Sequence, residues 1–487
     1  MTAEPDSLFC GIDLGTGGAR CVIVDESGRV ASRGQCDLQR RSIEGLPEGW
    51  FEQDPRDWLN AVRNAISEAT EGSSAERIDA AGVTSTSGTL VLVDDAGGTI
   101  RNGIMYSDSR STPQVQEVGR CGNNLTRKLG YRFKPSFGLP KLAWLRDNEP
   151  RALKRAHRFL SPTDFIIGWL TGSWNTTDQT NALKFGYDLL EDRWPAFIED
   201  ELGIPTSKLP EVRATGSVVG RLRGDIAAEV GLPAGTPVTA GMTDGCASQA
   251  SSGAVEPGDV NTTIGTTLVM KAVSEQLLLD PRGRIYCHRH PEGWWLPGGA
   301  SNTGARCLEE EFGGSETERR SRNALAASPT DAVAYPLTGT GERFPFAAPD
   351  AAGFMLGQTA SRDELFAAYL EGVACVERMC VQMLEELGAE PGETVYSAGG
   401  GAASNAWLQI RADTLNRRVA RPAEPGAAMG AAIAAASWRR YSGLSEAGRN
   451  MVRMEQVVEP RNEMTARYED KFRTFHEECI RRGYTGS

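Results

Sequence analysis

The chain has 487 residues, of which 40% are hydrophobic and 24% charged, and its 52 Lys and Arg face 64 Asp and Glu for a net charge of −12. This length exceeds one ordinary core and implies two domains, while the composition excludes a disordered or collagen-like chain. The acidic balance argues against a nucleic-acid partner, which selects clustered Lys and Arg, but leaves nucleotides open, since backbone N–H groups and a metal ion hold them.

Met1–Ser7 is short and polar, and the apolar run behind it is interrupted by Asp13, so it is not expected to be a secretory leader. No stretch reaches the roughly 18 to 20 apolar residues that span a bilayer. Leu8–Asp13 reads as a strand, Gly15-Thr16-Gly17-Gly18 as a turn, and Ala19–Asp25 as the returning strand. Glu26-Ser27-Gly28 turns the chain into a third strand, Arg29–Gln35. A helix is expected from Asp54, as N-cap, with Pro55 at its first position and Trp58, Ala61, Val62, Ala65 and Ile66 on its apolar face. Strands Ile78–Thr84 and Leu90–Asp94 follow, the latter closing in the turn Asp95–Gly98.

The second half repeats this style. Val238–Met242 reads as a strand, Gly241-Met242-Thr243-Asp244-Gly245 opens a helix that runs to Ser252, and Gly265-Thr266-Thr267 joins strands Val260–Ile264 and Leu268–Ala272. Thr394–Ala398 is a strand, followed by Gly399-Gly400-Gly401-Ala402 and a helix from about Asn405; Asn462–Arg482 is charged and helical in period. The class is α/β. Two halves that each carry a Gly/Thr-rich hairpin suggest a duplicated fold, with domains 1–252 and 253–487.

Ten cysteines are scattered without a CxxC pair, which fits free thiols in a reducing cytoplasm. Among four histidines, His288 and His290 would share a strand face, but no second ligand cluster accompanies them, so a structural role outweighs a metal site. No GxxxxGK[ST], no complete GxGxxG at the N-terminal turn, no HRD or DFG and no GxSxG occurs.

Glycines at 15, 17 and 18 let N–H groups approach phosphate oxygens, Thr16 adds a hydroxyl, and Asp13 at a strand end can take Mg²⁺; the same residues also suit an ordinary hairpin. Gly265, Thr266 and Thr267 share that chemistry and that ambiguity, and Gly399–Gly401 let a base or phosphate lie against the backbone. Asp244, at a helix start just ahead of Gly265–Thr267, suits the base that takes a hydroxyl proton in phosphoryl transfer; the plainer role is to cap its helix.

Asp13-Leu14-Gly15-Thr16, Glu52-Gln53-Asp54-Pro55, Thr243-Asp244, Gly265-Thr266-Thr267 and Gly399-Gly400-Gly401 resemble, in order, the motifs of FGGY carbohydrate kinases. Gly353–Glu371 and Lys141-Leu142-Ala143-Trp144-Leu145 are similar to that family's two signatures, departing at Gln358 and at the position three before Lys141. The resemblance implies two actin-like, ribonuclease H-like domains with an active-site cleft between them, sugar against the first and ATP against the second. It implies Asp244 as catalytic base, Asp13 and Asp244 as Mg²⁺ ligands and Gly15, Thr16, Gly17, Gly265, Thr266, Thr267, Gly400, Gly401 and Asn405 near the nucleotide. Asp13, Ser87, Asp108 and Asp244 are the implied sugar contacts, with a turn role as the alternative for Asp108. Lys184 is read as a surface lysine or a cleft residue, and Trp295 as core or cleft wall.

Typical xylulokinases carry Gln-Met-His-Gly where this chain has Thr86-Ser87-Gly88-Thr89, a small hydroxyl wall. That segment, Gly15–Arg20, Asn181–Lys184, Trp295–Asn302, Tyr335–Leu337 and Gly341–Pro345 resemble D-ribulose kinases of the plant and cyanobacterial type, with Gly17 in place of their usual Ser. The expected activity is ATP-dependent phosphorylation of D-ribulose. The alternatives are another ketose or polyol kinase, D-xylulose included, or a non-catalytic actin-like ATP binder. A cytoplasmic monomer or homodimer, without nucleic-acid or membrane partners, completes the expectation.

Overall fold

The computed structural model describes residues 7–38, 43, 45–72 and 75–486. Two compact units divide the chain. The first comprises residues up to Ser251 together with His288–Gly293 and Gly426–Val452; the second holds the remainder. Residues 288–293 and 426–452, placed by the sequence reading in a second domain of 253–487, thus belong to the first unit.

A seven-stranded sheet forms the heart of the first unit. Leu8–Leu14, Gly18–Asp25 and Val30–Asp37 make an antiparallel meander, and Ile78–Ser85 lies parallel to Leu8–Leu14 on its other side. Leu8–Leu14 is buried at every position, as a central strand covered on both faces must be. The helix Pro55–Thr70 begins where its signals place it: Pro55 takes the first turn, and the Asp54 side chain accepts a hydrogen bond from Arg56 N. It buries Trp58, Ala61, Val62, Ala65 and Ile66, and packs on the antiparallel strands.

The helix Ala427–Ser437 packs on Leu8–Leu14 and Ile78–Ser85. Its run of Ala and Gly allows near backbone-to-backbone approach. A Cβ on Gly82 would enter the carbonyl oxygen of Ala431, and one on Gly11 would meet Ala432 N at 2.6 Å.

The expected single strand Val238–Met242 is two, Pro237–Thr239 and Met242–Thr243. Ala240 leaves the ladder to exchange hydrogen bonds with Gly216 and Ser217, and a Cβ on Gly241 would strike Val83 O. Periodicity carries no trace of that break, because its cause is a partner distant in sequence.

In the second unit, Val260–Ile264 pairs antiparallel with Leu268–Ala272 and parallel with Thr394–Ala398, which is followed outward by Arg418–Pro422 and Met454–Val458. The helix Arg362–Glu386 is buried along most of its length, from Phe366 to Leu384. Asn405–Leu415 packs against it, with Ser404 as N-cap. The C-terminal stretch is a 3₁₀ turn, Asn462–Met464, and then a helix, Thr465–Arg481, whose face Tyr468, Phe472, Phe475 and Cys479 is buried. Among the described residues no helix is long and apolar enough to cross a membrane.

Candidate active site

In each unit most of the singled-out residues, Asp108 apart, lie at or just beyond the C-terminal ends of parallel strands, the edge where open α/β sheets bind ligands. In the first unit, Asp13 pairs in register with Thr84, and Thr84 with Met242; Leu14, Ser85 and Thr243 form the next row. Asp244 follows immediately as the first residue of the helix Asp244–Ser252. The sheet thereby brings together three segments more than 60 residues apart in sequence.

Asp13 is buried, and its Oδ1 has no hydrogen-bond partner. Burial pushes its pKa from 3.8 up to about 7, and the charge of Asp244 pushes it the same way. Arg20, directly across the hairpin with Nη1 3.6 Å from Oδ2, pulls it down only partly, because that side chain is largely exposed. Asp244 is half-buried, and its Oδ1 accepts a hydrogen bond from Gly245 N at 2.7 Å. It thus serves its helix start while standing close enough to Asp13 to perturb it.

Between the two strands, Gly15 N donates to Gly18 O at 2.9 Å, and Gln53 Nε2 to Thr16 O at 3.0 Å. Gln53 is itself held by Trp58 Nε1 at 2.8 Å, so the Glu52–Pro55 motif braces the turn. Gly18 must be glycine, since a Cβ would lie 3.0 Å from Asp37 Cα and closer still to Cys36 O. The turn borders an open groove of about 550 Å³ lined by Gly15–Arg20, Gln35, Asp37 and Leu38.

The Thr86–Thr89 loop continues from Ser85. Gly88 adopts φ +82°, and Thr89 Oγ1 accepts from Tyr106 N at 3.1 Å, which leaves Ser87 half-buried beside them. Two lysines hold this loop by its carbonyls. Lys141 Nζ donates to Gly88 O at 3.0 Å and Pro135 O at 2.9 Å, and Lys184 Nζ approaches Ser87 O at 3.5 Å. Burial, then Lys184 and Arg110, lower the Lys141 ammonium to about 7 against the pull of Asp108. Lys184 is therefore not the surface lysine allowed for in the sequence: it is buried, over the Phe137 ring.

Asp108 has a different task from the sugar contact expected of it. Its side chain is fully enclosed. Its oxygens accept from Phe51 N at 2.6 Å, Arg110 N at 2.9 Å, Arg110 Nε at 2.9 Å and Arg110 Nη2 at 2.8 Å. Arg110 also pairs with Glu52 at 2.7 Å and lies over Trp50. The carboxylate is consumed by a turn and a clamp.

In the second unit the turns after Ile264 and Ala398 are neighbours, because Thr263 and Ala398 pair in parallel register. Gly265 N donates to Thr267 O at 3.0 Å, and the loop Thr303–Arg306 backs the turn through Leu268 N to Thr303 O and Ala305 N to Gly265 O. Gly399 takes φ +81°, where a Cβ would also sit 2.6 Å from Ile264 O. Gly401 would place one 2.9 Å from the Ile264 side chain, whereas Gly400 faces open space. Ser404 Oγ accepts from Trp407 N at 3.2 Å, and Asn405 is the exposed first residue of an eleven-residue helix. Free N–H groups at such a helix start, beside two glycine turns, suit phosphate oxygens. Trp295 is buried, as a core residue. His288 and His290 are buried, and among the described residues no group of three or more His, Cys, Asp or Glu could hold a metal ion.

Sequence reasoning missed Thr84 and Thr180, whose hydroxyls bond to the backbone just before Asp244 at 2.8 Å each. Threonines in strands and loops are too common to signal this.

Residues 8–250 match the N-terminal domain, and residues 260–438 the C-terminal domain, of the FGGY family of carbohydrate kinases. The chain belongs to that family. Its relatives include a xylulose kinase of Bacillus subtilis, 28% identical over 95% of this chain and 94% of the relative, and a gluconokinase of the same organism, 25% identical over 85% and 84%. The crystal structure of xylulose kinase from Rhodospirillum rubrum superposes with a TM-score of 0.85 at 27% identity, over 97% of this chain and 98% of the other. This FGGY protein is thus a sugar kinase of two α/β domains. The named relatives are xylulose and gluconate kinases, whereas the sequence reading put D-ribulose first.

Proposed function

We propose that this FGGY kinase transfers the γ-phosphoryl group of ATP to the terminal hydroxyl of a ketopentose, with D-ribulose as the leading acceptor. The observation that carries the reaction class is the Asp13–Asp244 pair at one sheet edge. Asp244 is the half-buried carboxylate placed to take the hydroxyl proton, and Asp13 keeps a buried oxygen unpartnered. That unpartnered oxygen, facing the charge of a second carboxylate, fits Mg²⁺, whose remaining ligands in such sites are waters and phosphate oxygens. When bound, the ion supplies charge neutralisation at the phosphoryl group. Thr16, Gly17, Thr266, Thr267, Gly400, Gly401 and Asn405 contribute N–H and hydroxyl donors for phosphate, in turns shaped by Gly15 and Gly265.

The acceptor choice rests on the Thr86–Thr89 wall. Its largest side chain is a threonine, and the lysine-held carbonyls present Ser87 to a sugar hydroxyl. D-xylulose is the second reading, favoured by relatives named xylulose kinase at 26 to 28% identity. The test is ADP release with Mg-ATP across D-ribulose, L-ribulose, D-xylulose, ribitol and glycerol, with a no-sugar control. Selective turnover of D-ribulose is expected; faster D-xylulose turnover overturns the acceptor and keeps the chemistry. Asp244→Ala is expected to keep its fold and lose at least 10²-fold in kcat, the usual scale for a general base. An active Asp244→Ala protein refutes the mechanism.

A further inference from the structure

The segment Asp178–Lys184 touches both the strand end that carries Asp244 and the Thr86–Thr89 wall, yet of its residues the chemistry above uses only Lys184. Asp178 is buried and caps the short helix Gln179–Ala182. Its Oδ1 accepts from Thr180 N at 2.8 Å, from Asn181 N at 3.0 Å and from Thr180 Oγ1 at 2.6 Å; Oδ2 accepts from Asn181 Nδ2 at 2.6 Å. With its proton committed to Asp178, the Thr180 hydroxyl turns a lone pair toward Thr243 N, which donates to it at 2.8 Å. On the other side of the same peptide group, Thr84 Oγ1 donates to Met242 O at 2.8 Å. Both polar ends of the Met242–Thr243 peptide are therefore gripped by threonine hydroxyls, one residue before Asp244. The Thr243 side chain adds nothing to this, since its own Oγ1 is buried without a hydrogen-bond partner. Four residues beyond Thr180, Lys184 reaches the carbonyl of Ser87 and lies along Gly88, where a Cβ would stand 3.0 Å from its Cδ.

We propose that Thr180 is a positioning residue for Asp244, and that the Asp178–Lys184 segment is a strut holding the base in register with the sugar wall. This rests on the reading of Asp244 as the base. A peptide plane fixed at both ends aims the carboxylate that follows it; freeing one end lets that aim wander, and an ångström of misplacement costs on the order of 10²-fold in rate.

The test compares Thr180→Val, which keeps shape and removes the acceptor, with Thr180→Ser, which restores it. Steady-state kinetics on the best sugar, thermal melting and the Asp244→Ala control accompany them. Thr180→Val is expected to lower kcat roughly 10- to 100-fold while KM for sugar and for ATP stay within about twofold. Thr180→Ser is expected to recover kcat to within about threefold of the parent. Should Thr180→Val fail to fold, Thr180→Cys, whose sulfur is a weak acceptor, is expected to melt below the serine variant yet fold, and to show the same selective loss of kcat. A Thr180→Val enzyme that melts lower but turns over within twofold of the parent, beside a dead Asp244→Ala, overturns the positioning role and leaves the base assignment standing. Loss of both KM values together with kcat also overturns it, as a collapse of the whole site. An active Asp244→Ala removes the base assignment itself.

Discussion

Asp13 should destabilise its own fold, and by an amount that depends on pH. Its folded pKa, about 7, lies above the ordinary 3.8 because burial and the Asp244 charge both disfavour the carboxylate. The folded chain therefore holds a proton on Asp13 that the unfolded chain releases between those values, and stability falls as pH rises through that window. The penalty is absent below about pH 4 and complete above about pH 7. It amounts to about 4 kcal/mol at pH 8 and about 2 kcal/mol at pH 5, order-of-magnitude figures from the two pKa values. Asp13→Asn replaces the carboxylate by a neutral group of the same shape and removes the penalty. The assay is thermal melting of parent and variant at pH 5 and pH 8 with EDTA present, so that no cation masks the repulsion. Asp164, which burial and then Asp178 raise to about 8, tilts stability in the same direction, but it is common to both proteins and cancels in the difference. The variant should melt above the parent by a margin that is wider at pH 8 by roughly 4 °C, at ~2 °C per kcal/mol for a large domain. A margin that is equal at both pH values, or narrower at pH 8, refutes the claim that Asp13 is held in a charge-hostile site.

Further outcomes follow from other contacts. Gly82→Ala should lower stability by about 1–3 kcal/mol or abolish folding, since the methyl group must part the strand Ile78–Ser85 from the helix Ala427–Ser437; melting of purified variant checks it. In the second unit, Arg411→Met should cost about 3–5 kcal/mol by stranding the buried Glu377 carboxylate, while the Arg411→Met, Glu377→Leu double variant should regain much of the loss in urea unfolding. Glu342→Gln should raise KM for ATP with little change in KM for sugar. Its carboxylate accepts from Ser301, Thr303 and Tyr335 hydroxyls and from Asn302 and Arg343 N–H groups, so an amide would face donor against donor in the loop that backs Gly265–Thr267.

What was legible in the sequence was chiefly what short-range chemistry dictates. The strand ends and glycine turns at 15–18, 265–267 and 399–401 are readable as local glycine patterns, and at Gly18, Gly399 and Gly401 close approach of another segment leaves few residue choices. Asp54 and Pro55 announced their helix because capping is a local hydrogen bond and a fixed φ. The features the sequence leaves open depend on partners distant in the chain. Asp108 looks the same in sequence whether its carboxylate faces a sugar or Arg110, and only folding brings Phe51 N onto it. Lys184 looks like a surface lysine until the Gly88 loop and Phe137 close over it. The helix Ala427–Ser437 lies far down the chain from Leu8–Leu14, and no local pattern assigns it to that sheet rather than to the nearer one in sequence.

The two units share one plan and differ in charge, and the difference accords with a division of labour. Each places a strand, a glycine-threonine turn and an antiparallel return beside a parallel neighbour. The residue two before the first glycine of the turn is Asp13 in one and Thr263 in the other. A carboxylate there suits a cation or a hydroxyl proton, and it would repel a triphosphate that no metal bridges; a hydroxyl there adds no such repulsion to the turn. The glycines mark where ligand can approach backbone, and the residue before them sets the sign of the ligand that is welcome. On the proposed function, the acidic turn would meet the phosphoryl group through the metal, beside the reacting alcohol, and the neutral turn would meet the nucleotide's phosphates directly.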